Sequence, residues 1–522
     1  MTSLPFDRSR SAPRNALVLP EKLESGGLLV GWSMEHEHVR QPIGFTFGDA
    51  DRLPANGFID PILMNGEGHL ITIAPTGAGK GVGCIIPALL RHTGPAIVID
   101  PKGENAAMTA RRRRELGQEV VVIDPAGITR LENGAFNPLD LIDPEDAGGV
   151  DRAASMAMGL LPNNADGDHN RFWISRGRHL LSGLILHVVT DLEPKRRTLA
   201  TVREIMNELA QNPSSYRHTL ERSRHPEVRS LAGMLSIGAE STLGSIIGVA
   251  QEGIDFLRGT QLQEATARTS FDLDAVTRGD PLTIYIVLPP HMLASHGRML
   301  RVWIGGLLSL ITRHRSRPAQ PTLFLLDEAA QMGELDELRT ALTLLRGYGL
   351  QTWSFWQDVS QLRLLYPRDW QTMVNNCQVI QTFGPNNMNA ARDMANFVGF
   401  ISAEQFLEMK RDEMLLQIAG DEVVIARLPH YKTDPIFQGL YDENPLFDTS
   451  IDPVPQPRLV RSYLRPQKRV EEPRHRGLRA QPRRREPIGV GPGAVHPVDA
   501  LIAERLTALT RKKARRKGRR EA

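Results

Sequence analysis

Glycines and a lysine between residues 74 and 81 constrain this chain more than any other part of it. The apolar run Leu70–Ile73 precedes the segment, and the helical pattern Val82–Leu90 follows it. A strand, a glycine-rich turn and a helix in this order are typical of a loop that binds phosphate groups. Gly77 and Gly79 allow the backbone to turn its N–H groups inward, and the positive end of the following helix adds to the attraction for an anion.

The segment departs from the general phosphate-loop pattern at two positions. Ala74 occupies the first glycine position, and Gly81 stands where a serine or threonine hydroxyl normally binds Mg²⁺. The alternative is a glycine-rich turn with a surface lysine, but the flanking strand and helix favour nucleotide binding. Lys80 is expected to reach the β- and γ-phosphates. The predicted nucleotide contacts are Ala74, Pro75, Thr76, Gly77, Ala78, Gly79, Lys80 and Gly81.

A second apolar run, Thr322–Leu326, ends in the acidic pair Asp327 and Glu328. Ligands of open α/β sheets bind at the carboxyl ends of the strands, so we expect this pair beside the glycine-rich loop. Asp327 is predicted to hold Mg²⁺ through a water molecule, and Glu328 to orient and deprotonate an attacking water. Asp100 and Asp124 also end apolar runs, but a proline follows each, and capping of the next turn is the favoured role.

Two further residues are candidates for a role in phosphoryl transfer. Arg346 closes the helix after Glu328, and an arginine supplied by another subunit commonly stabilises the charge that spreads over the transferred group. The alternative is an arginine that interacts with the helix macrodipole. Gln357 follows the apolar run Thr352–Trp356 and is predicted to sense the γ-phosphate.

Several apolar runs predict an α/β fold. Ala96–Ile99 and Val120–Ile123 alternate with helical segments, as in a parallel sheet that is covered on both faces. Met108–Leu116, which contains Arg111 to Arg114, predicts a helix with a basic face. Residues 142–264 show helical periodicity alone and predict an all-α insertion. Its arginines either face solvent or follow a phosphate backbone: Arg171, Arg176, Arg178, Arg217, Arg222 and Arg224.

Charge and composition complete the predicted domain organisation. The parts are an irregular lead-in (1–52), a nucleotide-binding domain in two parts (53–141 and 265–452), the all-α insertion (142–264) and a basic, mostly disordered tail (453–522). The tail carries 20 Lys and Arg against 6 Asp and Glu, a net charge of +14 that leaves −11 for the rest of a chain whose total is +3. It is either a solvated extension or a contact for nucleic acid, acidic protein or a membrane surface. The basic clusters of the tail contain no interleaved aromatic residues that could stack on bases, so the tail predicts at most non-specific contact with phosphates.

Three features argue for a protein of the cytoplasm. Cys84 and Cys377 alone cannot form a disulfide framework or a cysteine metal centre. No run of about 18 uninterrupted apolar residues predicts a transmembrane helix, and the first residues lack the apolar core of a secretory signal.

Six short segments occur in a defined order between Gly66 and Leu428: Ala74–Gly83, Asp100–Glu104, Phe136–Leu139, Phe172–Trp173, Leu326–Ala329 and Trp356–Leu362. Their order and residues resemble the type IV secretion coupling proteins, which are ring-forming ATPases of bacterial conjugation. A glycine after the loop lysine is usual in that family. The family usually begins with a transmembrane anchor, and the present chain resembles a form that lacks it.

The resemblance implies a RecA-like P-loop NTPase with a mostly parallel central sheet and an inserted all-α domain, assembled as a homo-hexamer around a pore. It implies that ATP and Mg²⁺ are the cofactors, that Lys80 binds nucleotide, and that Asp327 and Glu328 serve metal binding and hydrolysis. Gln357 would sense nucleotide, and Arg346 would act on a neighbouring subunit. The implied partners are single- or double-stranded DNA bound without sequence preference, a relaxase or secreted protein, and inner-membrane components of the secretion system. The implied location is the cytoplasm, at the surface of the inner membrane.

Two functions of different kinds follow from these observations. The first is an ATP-hydrolysing coupling protein that recruits DNA–relaxase or protein substrates to a type IV secretion channel and drives DNA transfer. The alternative is an ATP-dependent receptor for protein effectors that does not pump DNA. A metabolic P-loop kinase is disfavoured, because the Asp327–Glu328 pair suits activation of water.

Overall fold

Twelve strands form one sheet in the computed structural model, which describes residues 19–20, 22–23, 27–33, 45–47, 60–162, 168–235, 240–314, 318–419 and 423–446. The predicted tail, 453–522, lies outside the described residues. In chain order the strands are β1 Leu28–Ser33, β2 Phe45–Phe47, β3 Pro61–Met64, β4 His69–Ile73, β5 Ala96–Ile99, β6 Glu119–Ile123, β7 Leu282–Ile286, β8 Thr322–Leu326, β9 Leu350–Trp356, β10 Cys377–Thr382, β11 Glu413–Ile418 and β12 Val424–Arg427. Their order across the sheet is β2-β3-β1-β12-β11-β10-β4-β9-β8-β5-β7-β6.

Seven neighbouring strands, from β10 to β6 in that order, run parallel. Alternate side chains of β8 enter two separate hydrophobic cores, with Phe324 and Leu326 in one and Leu323 and Leu325 in the other. Successive side chains of a strand point to opposite faces, so both faces of the sheet are buried. This is why the strands read as continuous apolar runs in the sequence.

The remaining strands extend the sheet in antiparallel pairs beyond β10. Strand β1 pairs with β12 and with β3, although its residues belong to the lead-in that the sequence predicts to be irregular. The Trp32 indole donates to Asp434 Oδ2 at 2.9 Å, which connects this edge to the last part of the described chain.

Helices occupy the connections between the strands. Residues 149–278 contain helices and, where the structure describes them, no strand; the proposed domain limits at 142 and 264 remain a prediction. None of the helices in the described residues combines the length and apolar character that a bilayer span requires. The helices are α1 Ile86–Arg91, α2 Glu104–Glu115, α3 Gly149–Leu160, α4 Asp168–Asp191, α5 Leu199–Gln211, α6 Pro213–Glu221, α7 Pro226–Met234, α8 Glu240–Ile254, α9 Thr260–Ala265, α10 Leu273–Arg278, α11 Pro290–Ile311, α12 Asp336–Leu344, α13 Val359–Leu365, α14 Trp370–Asn375, α15 Met388–Val398 and α16 Ala403–Glu408.

Helix α2 begins four residues earlier than its apolar pattern predicts. Its first residue is Glu104 because the carboxylate of Asp100 accepts a hydrogen bond from the Ala106 N–H at 2.8 Å. A side-chain acceptor of this kind satisfies one of the N–H groups that a helix start leaves without an intrahelical partner. The capping role predicted for Asp100 is therefore present in the structure.

The predicted basic face of α2 is wrong for Arg113, which is fully buried. Its guanidinium donates to Thr283 Oγ1 at 2.9 Å, to Gly94 O at 2.6 Å and to His92 O. Buried carbonyl groups require donors, and a guanidinium supplies several in a fixed plane. Arg113 therefore ties the loop after α1 to the sheet.

Candidate nucleotide-binding site

The glycine-rich loop lies at the carboxyl edge of the parallel strands, directly after β4. The Ala74 N–H donates to Trp356 O at 3.0 Å and ties the start of the loop to the end of β9. Gly77 and Gly79 have φ angles of +80° and +105°, in the region that favours glycine. A Cβ at Gly77 would meet nothing within 4 Å, so backbone conformation rather than space requires glycine there.

Lys80 follows this turn, and its side chain is buried against the loop. Its Nζ donates to Ala74 O at 2.6 Å. Burial lowers the pKa of the Lys80 ammonium, and the carboxylates of Glu328 and Asp327 oppose that shift. The loop lysine and the acidic pair therefore share one electrostatic environment, although about 250 residues of chain separate them.

The order of the strands explains how these distant residues meet. A single strand, β9, lies between β4 and β8. Neighbouring strands are about 4.8 Å apart, so the loop and the acidic pair flank a span of about 10 Å. Gln357 directly follows β9 and lies between them. Loop, glutamine and acidic pair thus occupy the ends of three adjacent parallel strands, the place where such sheets bind ligands.

A shared amide connects Asp327 to Asp100 on the neighbouring strand β5. The side chain of Asn105 donates to Asp327 Oδ2 at 3.2 Å and to Asp100 Oδ1 at 3.3 Å. Burial raises the pKa of Asp327 to about 6, although the Asn105 hydrogen bond and Lys102 oppose the rise. Burial likewise raises the pKa of Asp100 to about 7, against the Ala106 N–H.

Asp124, the third aspartate at a strand end, closes a separate turn. Its Oδ2 accepts from the Thr129 N–H and from Thr129 Oγ1, both at 2.8 Å. This contact agrees with the turn-capping role that the sequence predicts.

The side chains at the acidic pair fit a magnesium ion to which the protein contributes few ligands. Among the described residues no group of three or more His, Cys, Asp and Glu side chains is arranged to hold a metal. Mg²⁺ in nucleotide sites is typically bound by one or two carboxylates, together with waters and substrate phosphates. The partly buried Asp327 offers such a carboxylate, and a Cβ at Gly81 would meet nothing within 4 Å, which leaves space beside the loop.

Glu328 has an unusual backbone conformation. Its φ is +56°, and within the described part of the chain Arg130 is the only other non-glycine residue with positive φ. Only 9% of Glu328 is exposed. Non-glycine residues in the left-handed region cost about 1–3 kcal/mol and cluster at functional sites. The left-handed backbone conformation therefore fixes the direction in which the Glu328 side chain leaves the end of β8.

Two contacts to Glu328 were missed by sequence reasoning. Lys102 Nζ lies 3.5 Å from Oε1, and the Gln331 amide donates to Oε2. Lys102 belongs to the motif Asp100–Glu104, but its place in the sequence gives no sign of a contact with Glu328. That contact follows from the pairing of β5 with β8, which is a property of the sheet.

Arg346 lies away from the other candidate residues. It is exposed in the turn between α12 and β9, at the amino edge of the parallel strands. Burial, and to a lesser extent the charge of Arg346, lower the pKa of His69 to about 4, and His69 is the first residue of β4. Arg346 therefore lies at the opposite edge of the sheet from the loop of its own chain.

The six arginines of the helical segment differ in their surroundings. Arg178 Nε donates to Leu161 O at 2.8 Å, and Arg217 pairs with Glu221 at 2.9 Å. Arg224 donates to Thr190 O. Arg176 instead lies over the ring of Phe172, 5.5 Å from its centroid. At least three of the six are thus engaged by other groups of the helical segment, and the arginines do not form one uniform basic face.

Comparison with known proteins identifies a family and several relatives. A family profile described as type IV secretory system conjugative DNA transfer matches residues 33–435. The chain is 27% identical over 357 residues to the conjugal transfer protein TraG of Escherichia coli, which covers 64% of this chain and 55% of TraG. It is 23% identical over 397 residues to the coupling protein VirD4 of Bartonella henselae, with 73% and 61% covered. The chain spans about half the length of these relatives.

Solved structures confirm the fold. The bacterial conjugative coupling protein TrwBdeltaN70 superposes with a TM-score of 0.56 at 17% identity, over 73% of this chain and 91% of that one. TrwB bound to a non-hydrolysable ATP analogue gives a TM-score of 0.54 at 17% identity, over 69% and 85%. The predicted P-loop NTPase fold with a mostly parallel central sheet is therefore confirmed.

Proposed function

The chain belongs to the type IV secretory system conjugative DNA transfer family, and from this membership we propose that it is an ATP-hydrolysing coupling protein that drives DNA transfer. One observation carries the proposal: Lys80, Gln357 and the Asp327–Glu328 pair lie at the carboxyl ends of three adjacent parallel strands. The arrangement places a phosphate-binding loop, a carboxylate for a metal and a general base within about 10 Å, across the ends of these three strands.

In the proposed reaction the residues Ala74 to Gly81 bind the phosphates through backbone N–H groups, and Lys80 balances their charge. Asp327 would hold Mg²⁺ through a water molecule, and the ion would supply neutralisation of the phosphate charge when bound. Glu328 accepts a proton from water as the water oxygen bonds to the γ-phosphorus. The bond from that phosphorus to the bridging oxygen breaks, and ADP leaves with the electron pair. Gln357, between the loop and the base, senses the γ-phosphate.

Arg346 acts in this proposal on nucleotide held by another subunit. It is exposed at the amino edge of the strands, and the loop lies at the carboxyl edge. A closed ring of identical subunits, here a homo-hexamer, brings opposite edges of neighbours together by a heterologous contact. The arginine can then stabilise the charge of the transition state in trans.

DNA is the proposed substrate, and Phe172 is the surface feature that favours it. This residue is 47% exposed near the start of α4, with Arg176 over its ring and Trp173 edge-on at 5.2 Å. Exposed aromatic rings with adjacent arginine suit stacking with bases irrespective of sequence. DNA–relaxase complexes would reach the channel through inner-membrane secretion components, with this chain at the cytoplasmic surface of that membrane.

The proposal predicts the behaviour of two variants. Lys80→Ala and Glu328→Gln should each abolish DNA-stimulated ATP hydrolysis, because one removes the phosphate cation and the other removes the base; loss of a general base costs about 10²–10⁴-fold. Phosphate release should be measured for each variant with and without single- and double-stranded DNA. Unchanged circular dichroism and melting temperature would show that the fold is intact, and undiminished turnover in either variant would refute the site.

The same assay separates the proposal from a receptor for protein effectors. DNA held through phosphate contacts loses affinity steeply as salt increases. A coupling protein that acts on DNA should show both DNA-stimulated turnover and a steep salt dependence of DNA binding. Turnover that responds to a secreted protein but not to DNA would favour the receptor.

A further inference from the structure

The carboxylate of Glu328 is held by two side chains, one on each oxygen. Lys102 Nζ lies 3.5 Å from Oε1, and the Gln331 amide donates to Oε2. Lys102 comes from the turn after β5, and Gln331 comes from the short 3-10 helix that directly follows Glu328. Contacts from two separate segments therefore determine the plane of the carboxylate.

The turn that carries Lys102 is itself closely constrained. The Gly103 N–H donates to Asp100 O at 3.2 Å, and the Asp100 carboxylate holds the start of α2. Gly103 has φ of +71°, and a Cβ there would lie 2.8 Å from Thr129 Cγ2. Lys102 is thus presented by a tight turn with little freedom to move relative to β8, which is paired with β5.

Gln331 is held against Glu328 through the backbone as well. Its N–H donates to Glu328 O at 3.0 Å. Since Glu328 adopts the left-handed conformation, the chain turns sharply enough to bring the amide of Gln331 back to the carboxylate. The strained backbone and the two side-chain contacts together hold the Glu328 carboxylate in one orientation.

We infer that Lys102 and Gln331 are positioning residues that orient the Glu328 carboxylate toward the attacking water. The inference rests on the proposed function, in which Glu328 is the general base. An ionised carboxylate has about four lone-pair sites. Lys102 and Gln331 each take one, and one on each oxygen remains for the water. A base displaced by about 1 Å can lose about 100-fold in rate.

The Lys102 contact contributes to orientation far more than to stability. The Lys102 side chain is 44% exposed, and ion pairs that are this accessible to water contribute little to folding. A Lys102 variant should therefore fold normally. Any loss of activity can then be attributed to the site rather than to unfolding.

The test compares the variant Lys102→Met with the conservative variant Lys102→Arg. Lys195→Met serves as the control, because Lys195 is an exposed lysine in the helical segment. For Lys102→Met we expect kcat for ATP hydrolysis to fall by about tenfold to 100-fold. The KM for ATP and the affinity for a fluorescent ATP analogue should stay within about twofold, because a change in KM alone would mark a residue that binds substrate and transition state equally. Lys102→Arg should recover most of kcat, Gln331→Leu should lower kcat, and Lys195→Met should behave as the wild type.

A double-mutant cycle shows whether Lys102 acts through Glu328. In the Glu328→Gln background, Lys102→Met should change the residual rate by less than about twofold, because residues that act as a unit are not additive. An equal loss in both backgrounds, an unchanged kcat in the single variant, or a raised KM that marks Lys102 as a phosphate ligand would each overturn the inference. An inactive wild type would instead contradict the proposed function itself.

Discussion

At the scale of single residues, two histidines at the amino ends of the parallel strands, on the far side from the glycine-rich loop, are buried and neutral. His69 Nδ1 accepts the Thr352 N–H at 3.1 Å, which assigns the proton of the neutral ring to Nε2. Burial and the nearby Arg346 lower its pKa to about 4. Burial, and next the charge of Arg113, lower the pKa of His92 to about 3. Each ring is excluded from water, so protonation is costly in the folded state.

Each of these histidines makes a contribution to stability that is lost in mild acid. Between pH 6.5 and 4 the unfolded chain binds a proton at His69 that the folded chain does not, so the His69 contribution to the free energy of unfolding decreases as pH falls through that window. Asp100 and Asp327, whose pKa values burial raises to about 7 and about 6, contribute in the opposite direction over the same range. The slope is about 1.4 kcal/mol per pH unit for each such histidine. Urea unfolding at pH 7, 6 and 5, compared between the wild type and a variant that lacks the His69 imidazole, measures the His69 contribution.

A substitution assigns part of this slope to His69. Asparagine can offer a carbonyl oxygen to the Thr352 N–H without a titrating ring, so His69→Asn should subtract the His69 contribution and lower the slope of the free energy of unfolding against pH by about 1.4 kcal/mol per pH unit. His179→Asn, at an exposed histidine, is the matched control and should leave the slope unchanged. An identical slope in His69→Asn and the wild type would contradict the assignment.

At the scale of elements, the helix after the glycine-rich loop depends on two glycines for different reasons. It begins as one turn of π-helix, Gly81–Ile85, and continues as α1. A Cβ at Gly81 would meet nothing within 4 Å, but a Cβ at Gly83 would lie 2.4 Å from Leu428 Cγ. Leu428 follows β12, so Gly83 permits the antiparallel end of the sheet to approach the loop.

This difference predicts opposite outcomes for two small substitutions. Gly81→Ser should retain stability and nucleotide affinity, because its side chain has room and supplies a hydroxyl beside the phosphates. Gly83→Ala should destabilise the protein by about 1–3 kcal/mol through overpacking. Urea unfolding and binding of a fluorescent ATP analogue measure both effects.

The cause of the Gly83 effect can be tested by removing its neighbour. If the clash with Leu428 is responsible, Gly83→Ala combined with Leu428→Ala should cost less than the sum of the two single substitutions. Full additivity, or a Gly81→Ser variant that unfolds as readily as Gly83→Ala, would disprove this account.

At the scale of the whole molecule, the candidate site is divided between the two edges of the sheet. Lys80 and Glu328 lie at the carboxyl edge, and Arg346 lies at the amino edge. Arg346 precedes β9 and the loop follows β4, and the length of these adjacent strands, roughly 20 Å at about 3.3 Å per residue, separates the arginine from the loop of its own chain. In the proposed function, Arg346 therefore acts on nucleotide that is held by a second copy of the chain.

This division predicts complementation between two inactive variants. Arg346→Ala and Lys80→Ala should each be inactive alone, but a mixture should regain turnover at interfaces where an Arg346→Ala subunit binds ATP and a Lys80→Ala subunit supplies the arginine. In an equal random mixture about one interface in four has this composition. Phosphate release by the mixture, compared with each variant at the same total concentration, measures the effect; a mixture as inactive as its parts would exclude an arginine acting in trans.

Much of the architecture was accessible from the sequence because the signals are local. The apolar runs of β4, β5, β6 and β8 reflect burial on both faces, and that burial needs no knowledge of the neighbours. The Asp327–Glu328 pair was recognisable because it ends such a run. Arg113 was misassigned because its three acceptors belong to other segments, and its own helix contains nothing that distinguishes it from the adjacent arginines.

The sequence alone determined the phosphate-binding turn, the buried strands and the acidic pair, since backbone freedom at glycine and side-chain alternation along a strand depend on residues that are adjacent in the chain. Only the tertiary structure decided that β9 separates β4 from β8, that Lys102 and Gln331 hold Glu328, and that Arg346 lies at the far edge. Those contacts depend on which strands pair, and pairing between distant segments is settled by the packing of the entire sheet rather than by any local pattern.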